Sequence, residues 1–265
     1  MLKKLLKYDL LYMYRCLVIF YVLSIICALA TRLFSSIDNI MFFVVLTKIF
    51  SGVTITMIIN IIINNILRMW ARFISNLYGD ESYLTHTLPI EKNTHYMSKF
   101  LTAIITFLSS VVVILITLLI AYVDSFEQLR RVVEQFIYDG ANVIDVIVLL
   151  IVLLLEIINI VQIGYTGIIL GKRHNNRRLI WAFVYGGIAY FITTVISLIY
   201  VFIMALIDKD IMKLLFTAYS SGDTIVGVDD ILKSLVYGCA ILYAFVIIVG
   251  CVINRKLLSK GVNVD

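Results

Sequence analysis

Six long apolar stretches, at about residues 11–31, 40–67, 100–123, 143–170, 179–207 and 234–253, dominate this 265-residue chain. A helix rises ~1.5 Å per residue and crosses the ~30 Å hydrocarbon core of a bilayer in about 20 residues, so each stretch is long enough to span. Some have length left over for tilt. The third, fifth and sixth stretches carry no charge at all. Apolar residues make up 62% of the chain and charged ones 15%, against roughly 45–50% and about 25% in ordinary soluble domains. That surplus of apolar surface needs lipid, which argues against a soluble enzyme. A transmembrane barrel would alternate apolar and polar residues over ~10-residue segments, and no such period is present. The expected fold is an all-α integral membrane protein, one transmembrane domain over residues 1–265 with six spans.

Lysine and arginine counts orient the chain. With both termini cytoplasmic, fifteen fall in or beside the inner segments, and six (Arg32, Arg130, Arg131, Lys209, Lys213, Lys233) fall outside. The positive-inside bias therefore predicts cytoplasmic N- and C-termini. The net charge of +5 is spread over short segments between apolar runs, which predicts membrane orientation and no nucleic-acid partner. The first residues, MLKKLLKYDLLYMYR, resemble a signal peptide in charge order but lack small cleavage-site residues, so the segment is expected to stay attached. Leu2, Leu5, Leu6 and Leu10 share a face opposite Lys3, Lys4 and Lys7, which predicts an amphipathic interfacial helix on the inner leaflet. The outer connections 124–142 and 208–233 have helical apolar spacing and predict short amphipathic helices at the outer interface.

Residues able to carry chemistry are few. The phosphate-binding loop, the His-Glu-x-x-His zinc pair and the Gly-x-Ser-x-Gly nucleophile elbow are all missing from the sequence. The chain itself is therefore not expected to be an enzyme. Cys16, Cys27, Cys239 and Cys251 lie in or beside apolar runs and read as small hydrophobes. His86, His95 and His174 read as solvated loop side chains, and no metal site is expected. Two charges sit deep within apolar stretches, Lys48 in the second and Glu156 in the fourth. An ionised group at the bilayer centre costs at least about 2.5–3.5 kcal/mol, so each is expected to face a partner, the bundle interior or water. An interhelical ion pair between them is one solution. Asn159 and Gln162 follow Glu156 at i+3 and i+6 as a polar stripe, and Asn60, Asn64 and Asn65 form another. Both read as a translocation pathway or as hydrogen-bonded packing between helices.

The most specific local signal lies in the inner connection 68–99. Gly79 permits a turn, Asp80, Glu81 or Ser82 can cap a short helix, and Pro89, the chain's only proline, suits the first turn of the helix leading into the third span. The run Gly79-Asp80-Glu81-Ser82-Tyr83-Leu84-Thr85-His86-Thr87-Leu88-Pro89-Ile90, followed by Lys99, resembles the acidic, Gly-containing, Leu-Thr-x-Thr-Leu-Pro loop of bacterial ATP-binding-cassette exporter permeases, the type-two membrane-domain family. The resemblance covers the whole chain in architecture and about residues 78–101 in motif. It implies that this loop is a coupling helix docking on a separate ATPase subunit. Asp80 and Glu81 would make charged contacts there, with Tyr83, Leu84 and Leu88 as apolar anchors and Gly79, Thr85, His86 and Pro89 completing the set of ATPase-coupling residues. ATP and Mg would be bound by that partner, with no cofactor in this chain. Two ATPase copies, a second permease subunit (identical or homologous) and the lipid bilayer are the implied partners. The implied cargo is an amphipathic peptide such as a bacteriocin, toxin or antimicrobial peptide, exported across a bacterial plasma membrane. The alternatives are an ion- or proton-coupled secondary transporter using Lys48 and Glu156, and a non-transporting membrane assembly subunit.

Overall fold

A computed structural model describes residues 2–37, 41–79, 81, 82, 87, 91–123, 143–174, 177–207 and 228–259. They form six helices: α1 (Leu2–Ser35), α2 (Met41–Tyr78), α3 (Lys92–Tyr122), α4 (Val143–Gly171), α5 (Arg178–Ile207) and α6 (Val228–Ser259). All six are long and apolar enough to cross a membrane, so the chain is a multi-pass membrane protein, all-helical among the described residues. The proposed outer helix at 124–142, and that at 208–233 up to residue 227, lie outside the described residues.

Several helices outrun the apolar stretches that announce them. The N-terminal segment expected to lie along the membrane surface is continuous with the first span in α1. In that segment Leu2, Leu5, Leu6 and Leu10 are half-buried while Lys3, Lys4 and Lys7 are exposed. The inner connection, expected over 68–99, is reduced to residues 79–91. Asn65, Met69, Phe73 and Leu77 recur every four residues and are all buried, so an apolar stripe carries α2 onward after the continuous apolar run has ended. On the other side Glu91 is the N-cap, with extended backbone (φ −62°, ψ 138°), and α3 begins at Lys92. Pro89 therefore precedes this helix instead of occupying its first turn.

The chain divides into two compact units, Met1–Gln135 and Phe136–Asn263. In the first, α1 packs on both α2 and α3. Its buried stripe is Asp9, Met13, Leu17, Tyr21, Ser24, Ala28 and Thr31, spaced at three- and four-residue steps that hold one helical face inward. In the second, α4 packs on both α5 and α6. The α4–α5 contact rests on small residues: a Cβ at Gly167 would lie 2.5 Å from the Ala182 oxygen and 2.8 Å from the Gly186 nitrogen. A Cβ at Gly171 would lie 2.6 Å from the Ala182 Cα. Gly-x-x-x-Gly thus meets Ala-x-x-x-Gly backbone to backbone, the close approach that small residues permit between membrane helices. The outer face of α5 is apolar and open, with Phe183, Phe191 and Phe202 exposed and Ala205 its one buried residue, as a lipid-facing helix requires.

Candidate functional site

Where α1 begins, α2 ends and α3 begins, four charged side chains meet. Asp9 of α1 is 3% exposed and accepts hydrogen bonds from Ser98 Oγ (2.9 Å), Arg72 Nε (3.3 Å) and Lys99 Nζ. Arg72 uses its other arm as well: Nη1 donates to Glu81 Oε2 at 2.7 Å, and Asn76 Nδ2 reaches the same oxygen at 3.2 Å. The Arg72 guanidinium also lies over the Tyr12 ring, with Cζ 4.5 Å from the centroid, a cation–π contact that gains strength as it is desolvated. Two carboxylates face two cations, so the cluster is formally neutral. That balance lets charges leave water, because the desolvation cost of buried ions is offset only by close pairing and further hydrogen bonds.

Glu81 connects this cluster to the segment between α2 and α3. Partial burial pushes its carboxyl up, but hydrogen bonds from Asn76, Ser75 and Arg72 and the Arg72 charge together hold it below the usual carboxylate range. A depressed folded-state pKa contributes stability that is present above the unfolded value and lost as pH falls through the folded one. Lowering the pH through the acid range should therefore reduce the thermal midpoint of the full chain more than that of a Glu81→Gln variant. The difference should be small, because the side chain is 46% exposed and solvent screens it. Identical pH profiles for the two proteins would contradict the pairing.

Of the expected coupling residues, Gly79 and Glu81 are within the described residues, while Asp80, Tyr83, Leu84, Thr85, His86, Leu88 and Pro89 lie outside them. Gly79 ends α2: its N–H still donates to the Ser75 carbonyl (3.2 Å), and its own carbonyl accepts from Ser82 N–H (2.9 Å). A Cβ there would lie 2.9 Å from the Ser75 oxygen, so the close turn excludes a side chain. His95 departs from the solvated reading. Because α3 starts at Lys92, His95 falls in its first turn and is 3% exposed.

Above the charged cluster, short polar groups join the helices of the first unit. Asn65, fully buried, donates to Ser110 Oγ (3.0 Å) and accepts from Thr106 Oγ1 (3.1 Å). Tyr21 bonds Ser110 at 2.7 Å, and Thr31 bonds Thr54 at 3.2 Å. Asn60 and Asn64 are only half-buried, and Asn64 donates to the Asn60 carbonyl on its own helix. Asn65 is thus the member of that stripe engaged in interhelical packing.

In the second unit the stripe from Glu156 faces α6. Asn159 and Gln162 are buried, and Gln162 Nε2 donates to the Ile247 carbonyl at 2.9 Å. Gly250 leaves room for that amide, since a Cβ there would stand 2.5 Å from it. Thr166 donates to Asn254 Oδ1 (2.8 Å), and Asn254 Nδ2 donates to the Gln162 carbonyl (3.3 Å). Gln162 therefore takes part in hydrogen bonds across the α4–α6 contact. Glu156 is half-buried, within electrostatic reach of Cys239 and Tyr243 on α6. Lys48 is exposed on α2, and it and Glu156 belong to different units.

Two functional-looking residues escape sequence reading. Asp9 is the first acid in the chain and stands among lysines, with nothing local to mark it as buried. Asn254 lies just past the last apolar stretch. Compared with protein-family models, with curated proteins and with solved structures, the chain matches none.

Proposed function

We propose that this chain is the transmembrane subunit of an ATP-driven exporter in a bacterial plasma membrane, with both termini cytoplasmic and the 79–91 segment docked on a separate ATPase. One observation carries the reading: Arg72 joins Glu81, at the edge of that segment, to Asp9, and Asp9 in turn holds Lys99. A force applied to the segment would be passed to α1, α2 and α3 together. A coupling element needs that property, because packed helices switch between discrete arrangements and do not deform continuously. The loop motif around Asp80 and Glu81 and the missing phosphate loop support the same reading.

In this scheme two permease subunits and two ATPases enclose a path for an amphipathic peptide. ATP and Mg sit in the partner, and nucleotide-driven closure shifts the equilibrium between inward- and outward-open states. Charge placed at the apolar anchors, as Tyr83→Asp with Leu84→Asp, should separate ATP hydrolysis from export: hydrolysis continues in the reconstituted complex while peptide export falls at least tenfold. Export that stays in step with hydrolysis in this variant would overturn the assignment.

A further inference from the structure

The α4–α5 turn and the end of α6 form a second feature, independent of the exporter reading. Arg173 Nη2 donates to the Leu257 carbonyl at 3.1 Å, which brings the turn against the C-terminal end of α6. Arg173 and Arg177 on the turn and Arg255 and Lys256 on α6 are all exposed at this end. No Asp or Glu occurs anywhere in residues 157–207 or 231–264. The acid preceding the turn, Glu156, is fifteen residues back from Gly171, about 22 Å along the helix. Burial, and then the neighbouring Arg178 charge, push Lys172 below the ordinary lysine value. Such an accumulation of exposed cations can receive an anion.

The aromatic residues point to which anion. The His174 ring stacks on Trp181 with centroids 4.4 Å apart and an interplanar angle of 14°, and His174 Nε2 lies 3.0 Å from the Tyr185 hydroxyl. Trp181 is 39% exposed. Exposed Trp and Tyr gather at the headgroup level of a bilayer, where the ring is apolar and its polar edge is wet. Trp181 and Tyr185 lie one and two turns into α5 from Arg177, so the cations sit at or just outside the phosphates. A protein partner or a free ion would not need that depth.

We propose that the α4–α5 turn and the C-terminal end of α6 form a binding site for the headgroup phosphate of an anionic phospholipid, with Arg173, Arg177, Arg255 and Lys256 as its cations and the His174–Trp181–Tyr185 stack as its anchor. The site fixes the second unit to a negatively charged leaflet. It also makes stability and activity depend on lipid charge.

The chain has two tryptophans, Trp70 and Trp181, so a full-length Trp70→Phe variant in neutral detergent leaves Trp181 as the sole reporter. Titration with dihexanoyl phosphatidylglycerol should give a saturable change in its emission. Dihexanoyl phosphatidylcholine and inorganic phosphate at the same concentrations should not. Adding Arg255→Gln and Lys256→Gln, which leave the aromatic stack intact, should weaken the apparent affinity by about fivefold for each cation removed. Native mass spectrometry of the same proteins should show phosphatidylglycerol retained by the parent and lost from the variant. Equal responses to both lipids, an equal response to inorganic phosphate, full affinity in the variant, or no lipid registered by either method would each overturn the site.

Discussion

Replacing Asp9 with alanine should destabilise the first unit by about 3–5 kcal/mol, the usual result of removing one partner from a buried ion cluster. The carboxylate holds Lys99, itself 3% exposed, together with Arg72 and Ser98. Without it, Lys99 stays buried with its charge uncompensated, and Arg72 keeps only Glu81 of its two acids. Loss of the whole pair should be milder than loss of half. Asp9→Leu combined with Lys99→Met removes a charge of each sign and leaves Arg72 to Glu81, so it should cost less than Asp9→Ala alone. Thermal unfolding of the full chain in detergent measures both. An Asp9→Ala midpoint indistinguishable from wild type, or a double variant worse than either single one, would refute the cluster's role.

The second large effect is expected at the α4–α5 contact. Gly167→Ala places a methyl group 2.5 Å from the Ala182 oxygen, and backbone cannot move aside as a side-chain tip can. Overpacking in a tight interface costs about 1–3 kcal/mol, and a backbone contact belongs at the upper end. Gly171→Leu meets the Ala182 backbone and Cβ with a larger side chain and should drive the hairpin apart. Gly186→Ala is the internal control: it lies on the facing helix, yet a Cβ there meets nothing within 4 Å. It should be neutral or slightly stabilising, since alanine is the better helix former. If unfolding assays rank Gly167→Ala and Gly186→Ala alike, the close approach is not what holds these helices.

The six spans were legible because uniform apolar runs of that length have one solution in a bilayer. Their ends were not. Residues 68–78 contain Arg68 and Arg72 and so leave the apolar run, while the stripe Met69, Phe73, Leu77 that continues α2 is visible only as a four-residue period. Asp9 was hidden for a different reason: its partners Arg72 and Lys99 lie 63 and 90 residues away, and no local pattern reports a contact of that range. Lys99 could be seen as part of the loop motif, but not its burial. The Glu156, Asn159, Gln162 stripe was readable as a face, since spacing alone sets direction on a helix. The bond from Gln162 to the Ile247 carbonyl was not. The paired Gly167-x-x-x-Gly171 and Ala182-x-x-x-Gly186 spacings were there to be read, yet small residues are common in membrane helices and spacing alone does not select a partner.

Site-specific photo-crosslinking from position 87, where the exposed Thr87 lies in the segment between α2 and α3, tests the central claim most directly. With the full chain expressed in its native membrane, a photoreactive residue there should join it to one ATPase chain in a fixed ratio, and the adduct should change with added nucleotide. A segment that crosslinks to lipid or to nothing under every nucleotide condition, in a chain that purifies without ATPase activity, would contradict the account.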